Sequence, residues 1–308
     1  MTDEPALLAA IADRPADDTP RLVYADWLDD HGDSDRAEFI RLNVEIDRTA
    51  VLAWRYGELR TRLRALRPRI DAPWANRLGY QPRHRPLFAA LPESRADRWR
   101  LIEDFIEVWH RPLADADGHP EAELRAAEER LGFKLPAALR EWHALSGRRH
   151  DVWSLQDRLN FPSRTVVTAG GEFLVVRTEN QSCETWGVLL DDIRADDPPV
   201  WELEAGVMAS PTVSAFACVA LLMEAIWCGT ASAYGEVPED VMWRLEHSGL
   251  SRADLPERYW VGSPVRFYEG TDLIVGTHDG SWVYAAARSQ KALQQLDPEI
   301  LRWLEVQP

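Results

Sequence analysis

The chain has 308 residues, enough to bury a substantial core and to divide into two domains, and a formal net charge of −16 at pH 7. A bulk charge of that sign repels nucleic-acid phosphates and favours basic partners. The longest apolar run, Val213 to Trp227, is broken by Ser214 and Glu224 and reads as a buried helix rather than a membrane span. The cysteines, Cys183, Cys218 and Cys228, are odd in number and widely spaced, so they suggest neither a disulfide framework nor a zinc site.

The N-terminus, Met1-Thr2-Asp3-Glu4-Pro5, is acidic and lacks the basic start and apolar stretch of a signal peptide, so a cytoplasmic location is expected. A helix then puts Leu7, Leu8 and Ile11 on one face and closes at Pro15. Thr19-Pro20 reads as an N-cap with proline in the first turn, followed by Leu22, Ala25 and Leu28 on one face, with Val23 and Trp27 beside them and Gly32 as the stop. A third helix from about Asp35 carries Phe39, Ile40, Leu42 and Ile46, and its pattern continues through Leu59, Leu63 and Leu66 to Pro68. Tyr24 and Trp27 read as packing residues, and Asp26 is placed to cap or to pair with Arg21 or Arg41. Prolines at 68, 73, 82, 86 and 92, with Gly79, predict an irregular linker over 68–96, where Trp74, Tyr80 and Phe88 imply packing.

The second domain begins near Asp97. Helices are expected around Trp99 to Trp109, over 120–131, and around Leu139 to Leu145 with Gly147 as the stop. Strands follow at 164–168, 173–178, 186–190 and 200–204, then the buried helix over 213–228. Further strands at 265–268, 273–277 and 282–287 are separated by Glu269-Gly270 and Asp279-Gly280 turns. Short helices over 290–296 and 298–304 close the chain. Helices followed by a run of strands predict an α+β fold: a small helical module over 1–67, a Pro/Arg-rich linker over 68–96, and a domain over 97–308 with helices packed on a mostly antiparallel sheet.

Two resemblances sharpen this reading. Arg21-Leu22-Val23-Tyr24-Ala25-Asp26-Trp27-Leu28, Gly32-Asp33 and Glu38-Phe39-Ile40-Arg41-Leu42 closely resemble the N-terminal repeat-companion domain of the planctomycete type, with Asn43 where that family usually has Gln. The role of that domain is not established, so it supplies architecture. Downstream, Leu131-Gly132, Leu135-Pro136, Ser146-Gly147, Glu179-Asn180-Gln181-Ser182 with Trp186, and Asp197-Pro198-Pro199-Val200-Trp201 resemble the SUKH superfamily (the SMI1/KNR4 family). Ser146 stands where relatives often have Asn, and Ser182 where they have Gly. The second departure questions the turn geometry. The resemblance implies a non-enzymatic protein-binding protein of the cytoplasm, in many bacterial relatives an immunity protein that binds and neutralises a cognate toxin, with a nuclease as the candidate toxin class here. The alternative is a regulatory or scaffold protein without a toxin partner.

The signature residues have jobs that need no ligand. Leu135-Pro136 fixes chain direction between helices, Asn180 suits a tight turn, and Trp186 and Trp201 are expected to stack across neighbouring strands. The candidate partner surface is the acidic stretch Asp191, Asp192, Asp196 and Asp197 with Glu172 and Glu179, whose carboxylates would steer a basic protein. The competing reading is a solvated connection between strands. A calcium loop is disfavoured, because the glycine and distal glutamate of an EF-hand are missing. Arg55, Arg60, Arg62, Arg64, Arg67 and Arg69 form a basic stretch read as intramolecular pairing or a solvated face rather than a nucleic-acid surface. His143 and His150 have no carboxylate or cysteine at metal-ligand spacing, and no phosphate loop, Gly-x-Ser-x-Gly or dinucleotide signature occurs. No catalytic residue, cofactor or metal is expected. A hydrolase with an unrecognised site stands as the third hypothesis.

Overall fold

The computed structural model describes residues 4–15, 17–50, 53–80, 86–227, 229–260 and 263–307. The Met1-Thr2-Asp3 start, Pro82 and Cys228 lie outside the described residues. The chain divides into two compact units, residues 1–82 and 83–308.

The first unit contains α1 (Glu4–Asp13), α2 (Asp18–Asp30), α3 (Ser34–Arg48), α4 (Trp54–Leu66) and α5 (Ala72–Arg77). The Asp17 carboxylate accepts the Thr19 amide at 2.9 Å, so α2 is capped two residues ahead of the expected Thr19. Gly32, at φ +82°, provides the left-handed residue that ends α2. Leu7, Ile11, Tyr24, Leu28, Ile40, Leu63 and Trp74 meet in one core, with Trp27 partly buried against it. The pattern from Asp35 to Pro68, which suggests one helix, is divided between α3 and α4. Thr49 ends α3 in an extended conformation, and its hydroxyl donates to the Glu45 carbonyl at 2.7 Å, the local competition typical of threonine. The start of the expected linker is also helical. Pro73 sits in the first turn of α5, where its missing N–H costs nothing, and Asp71 caps the Trp74 amide at 2.9 Å. The Trp74 indole donates to the Tyr24 hydroxyl at 3.2 Å. Asp26 pairs with Arg41 at 2.7 Å. In the basic stretch, Arg55 pairs with Glu45 and Glu58, Arg62 with Glu38, and Arg69 with Asp35.

The second unit opens with α6 (Arg95–Trp109), α7 (Glu121–Leu131), α8 (Ala137–Ser146) and α9 (His150–Trp153). A five-stranded antiparallel sheet follows in chain order: β1 (Arg158–Leu159), β2 (Phe173–Thr178), β3 (Thr185–Leu189), β4 (Val200–Glu202) and β5 (Val207–Ser210). The expected strand at 164–168 contributes only an isolated bridge, Val167 to Leu174. Next comes α10 (Val213–Ala225), every residue of which is buried, as an all-round apolar helix requires. The remaining elements are β6 (Ala231–Glu236), α11 (Glu239–Glu246), β7 (Ser251–Arg252), β8 (Arg258–Trp260), β9 (Ser263–Gly270), β10 (Leu273–His278), β11 (Trp282–Ala287), α12 (Gln290–Leu293), α13 (Pro298–Leu301) and β12 (Glu305–Gln307). They build a seven-stranded antiparallel sheet in the order β12-β6-β11-β10-β9-β7, with β8 also on β9. The α+β class therefore holds, with the strands divided between two sheets.

Helix α10 contacts β5 of the first sheet and β10 of the second. Phe216 of α10 packs on Trp186 of β3 at 6.1 Å between ring centroids and on Trp142 of α8 at 6.4 Å. Gly276 of β10 lets the second sheet approach, because a Cβ there would already meet Ile226 at 3.4 Å. One face of that sheet, carrying Ala233, Tyr268, Val275, Val283 and Ala285, packs with Leu245, Leu293 and Ile300.

Candidate functional site

The residues from Leu131 to Trp201 singled out in the sequence frame the first sheet. Glu128, near the end of α7, is buried, and its carboxylate receives Lys134 at 2.7 Å, Arg140 at 2.6 Å and the Leu135 amide at 3.2 Å. That carboxylate turns the chain at Leu135-Pro136, and Pro136 is the N-cap of α8. Asn180 is exposed at the tip of the β2–β3 hairpin. Trp186 is fully buried. It does not stack with Trp201 as expected, because Trp186 lies opposite Glu202 and Gly187 lies opposite Trp201. The two tryptophans therefore point to opposite faces of the sheet. The face carrying Trp186 also carries Arg177 and Glu202, both buried.

The six residues assigned to the partner surface separate into three environments. Glu172 and the start of the acidic stretch come together, since the Glu172 carbonyl accepts the Leu190 amide at 2.8 Å. Asp191 and Glu172 are exposed and Asp192 half-buried, and none of the three carboxylates has an ion-pair or hydrogen-bond partner among the described residues. Asp196 is also exposed. Its backbone carbonyl accepts the Ala138 amide at 2.8 Å, anchoring the loop to the start of α8, and its carboxylate lies 3.9 Å from Arg95.

Asp197 turns inward. Its carboxylate accepts the Ser214 amide at 2.9 Å and the Ser214 hydroxyl at 2.5 Å, and lies 3.7 Å from Arg98. It secures the first turn of α10 together with the N-cap Thr212, so it is part of the frame and not of the displayed surface. Glu179 is likewise buried, at the far end of β2 from Glu172, roughly 20 Å along the strand. Its carboxylate accepts the Gln181 amide at 2.7 Å, the Cys183 amide at 3.3 Å and the Cys183 thiol at 3.1 Å. The hydrogen bond to that carboxylate is the main reason the Cys183 thiol is held above its ordinary pKa. Ser182 takes φ +62°, so this serine adopts the left-handed turn that glycine occupies freely.

Below this turn lies a carboxylate cluster that the motif did not announce. Burial and hydrogen bonds with Glu204 and Glu202 push the Glu184 carboxyl up to about 9. Glu204 is exposed; partial desolvation raises its carboxyl, but its hydrogen bonds to Glu184 and to the Thr185 amide outweigh that and lower it. Glu184 therefore holds its proton to higher pH than a free glutamate, and Glu204 loses its proton at lower pH. Further in, Glu224 near the end of α10 receives the amides of Leu155, Gln156 and Asp157 at 2.6, 2.7 and 3.0 Å and pairs with buried Arg177. Arg177 also donates to the Trp153 carbonyl at 2.8 Å. The sequence signal for this network was Glu224 itself, a lone charge in an apolar helix.

The two flagged histidines serve packing. His143 is buried, and burial first, then His119, lowers it to about 3. The His150 ring meets the Phe161 ring edge-on at 5.0 Å. Among the described residues, no group of three or more His, Cys, Asp or Glu is placed to hold a metal ion, and no helix is long and apolar enough to cross a membrane. The arrangement offers a fixed acidic projection, residues 190–196 beside Glu172, mounted on α8 and α10. No family model, no curated protein and no solved structure matches the chain.

Proposed function

We propose that this chain is a non-enzymatic protein-binding protein of the cytoplasm that captures a basic partner, in the manner of SUKH immunity proteins that neutralise a cognate toxin. The observation that carries the reading is the 190–196 loop. It is fixed at its base through the Leu190 amide, the Asp196 carbonyl and the Asp197 carboxylate, while Asp191, Asp192 and Glu172 display unpaired charge. A preorganised acidic projection loses little entropy on docking and steers a cationic partner during encounter. The resemblance at Leu135-Pro136, Glu179 to Trp186 and Asp197 to Trp201 supports the same class of function. The separately packed helical unit of residues 1–82 favours a second reading, a scaffold in which that unit recruits the other to a host complex.

The test is affinity capture from extracts of the native host, followed by association kinetics with the purified captured protein. Asp191→Lys, Asp192→Lys and Asp196→Lys together should slow association by about tenfold or more at low salt. An unchanged association rate removes the loop from the binding surface. Inhibition of a captured nuclease or other toxin supports the immunity reading, and capture of a host complex through residues 1–82 supports the scaffold reading.

A further inference from the structure

A second surface, on the seven-stranded sheet, has a different chemistry. Tyr234 of β6 lies directly opposite Tyr284 of β11, and their rings stack at 6.4 Å and 21°. Trp282, two residues before Tyr284 and so on the same face, lies 6.1 Å from it at the same angle. Trp227, just past α10, packs its ring on Tyr284 at 5.2 Å. Trp227 and Tyr234 are 38% and 36% exposed, and Trp282 and Tyr284 are half-buried. This face is covered further along, where Ile274 and Ala286 are buried and Gly276 meets Ile226, so the rings form an open aromatic shelf at one end of the sheet.

Two carboxylates stand in register with these rings. Glu236 is the direct cross-strand neighbour of Trp282, and Glu305 of β12 is that of Tyr234. Both are exposed, and neither has an ion pair or hydrogen bond among the described residues. Direct cross-strand neighbours place their Cβ atoms about 5 Å apart. A planar cation lying on a ring face can therefore reach the adjacent carboxylate. The ring faces carry negative potential, the carboxylates add formal charge, and a guanidinium satisfies both by stacking on the ring while donating a forked pair of hydrogen bonds.

We infer that this shelf binds arginine side chains of a basic segment in a partner protein, with Tyr234, Tyr284 and Trp282 as the stacking surface and Glu236 and Glu305 as the charge partners. The inference stands apart from the reading of the 190–196 loop, which belongs to the other sheet.

The test uses the full chain and a short peptide of alternating glycine and arginine, with a glutamate counterpart and a neutral oligosaccharide as comparison ligands, followed by titration calorimetry at about 0.15 M salt. The arginine peptide should bind, and neither comparison ligand should. E236Q with E305Q, which changes exposed groups only, should weaken binding by about tenfold, and Y234A with Y284A by a similar factor. D191N with D192N and D196N should leave the affinity within about twofold, since those charges lie on a loop of the other sheet. Equal binding by all variants would mean general attraction to an acidic protein and overturns the inference. Loss in the loop variant alone, absence of arginine binding, preference for the oligosaccharide, or self-association of the chain through this face each overturns it as well.

Discussion

The two sheets of the second unit meet the solvent and the core in opposite ways. The first buries ionic chemistry, with Arg177, Glu184 and Glu202 lying under its strands, and displays carboxylates at its edge loop. The second buries mainly alanine and aliphatic side chains, such as Ala233, Val275 and Ala285, with the Glu269 carboxylate of β9 accepting the Leu87 and Phe88 amides, and displays aromatic rings at one end of its outer face. A buried charge needs a specific partner at a specific place, so the first sheet fixes positions to which a loop can be anchored. An apolar packing face asks only for volume and pattern, and the open end of the sheet's other face carries the aromatic surface chemistry.

The largest expected effect breaks the buried half of this comparison. Glu224→Gln should destabilise the chain by about 3–5 kcal/mol in urea unfolding, because it removes the buried carboxylate that pairs with Arg177. Replacing both partners, R177M with E224L, should recover only part of that loss. The Leu155, Gln156 and Asp157 amides would still lack their acceptor.

Next in size is Asp197→Ala, which should cost about 1–2 kcal/mol through loss of its bonds to Ser214. Asp191→Asn and Asp192→Asn should change stability by less than about 0.5 kcal/mol. Equal costs at all three positions would contradict the division of the acidic stretch into anchor and displayed charge. Ser182→Gly should stabilise the hairpin by about 0.5–1 kcal/mol by relieving its positive φ, measured as a shift in the urea midpoint.

A further effect is one of pH. Glu184 has its folded-state pKa raised from 4.5 to about 9, so the folded state holds the proton more tightly than the unfolded one. The stability this contributes is complete below pH 4.5 and is lost as the pH rises through about 9. Glu204 is shifted downward and has the opposite sign, contributing above its ordinary range and losing that contribution in acid. Glu184→Gln should flatten the decline of stability toward alkaline pH, read as Tm against pH. A decline of unchanged slope would place the proton elsewhere.

Much of the architecture was legible because hydrophobic spacing carries it. The apolar run at α10, the β-forming residues and turn signals around β10 and β11, and Gly32 as a helix stop all follow from local pattern. The division of residues 35–66 into α3 and α4 was not legible, since Thr49 and its hydroxyl interrupt a pattern that otherwise continues. Helix α5 was hidden by Pro73, a breaker in most places but compatible with a first turn. At the candidate site, a run of aspartates reads as one feature in sequence, yet Asp197 and Asp191 differ entirely in what they touch. Which carboxylate turns inward depends on Ser214 and Arg98, which no spacing rule connects to the loop. The aromatic shelf left a weak sign, the alternation of Trp282 and Tyr284 with Val283 and Ala285, but its carboxylates come from β6 and β12 and required the strand order.

Hydrogen exchange of the captured complex tests the docking claim most directly. Binding through the displayed acidic loop predicts slowed exchange at residues 190–196 and around Glu172, with the Glu179–Cys183 turn unchanged. Protection confined to other surfaces, with the loop exchanging as it does in the free protein, would contradict it.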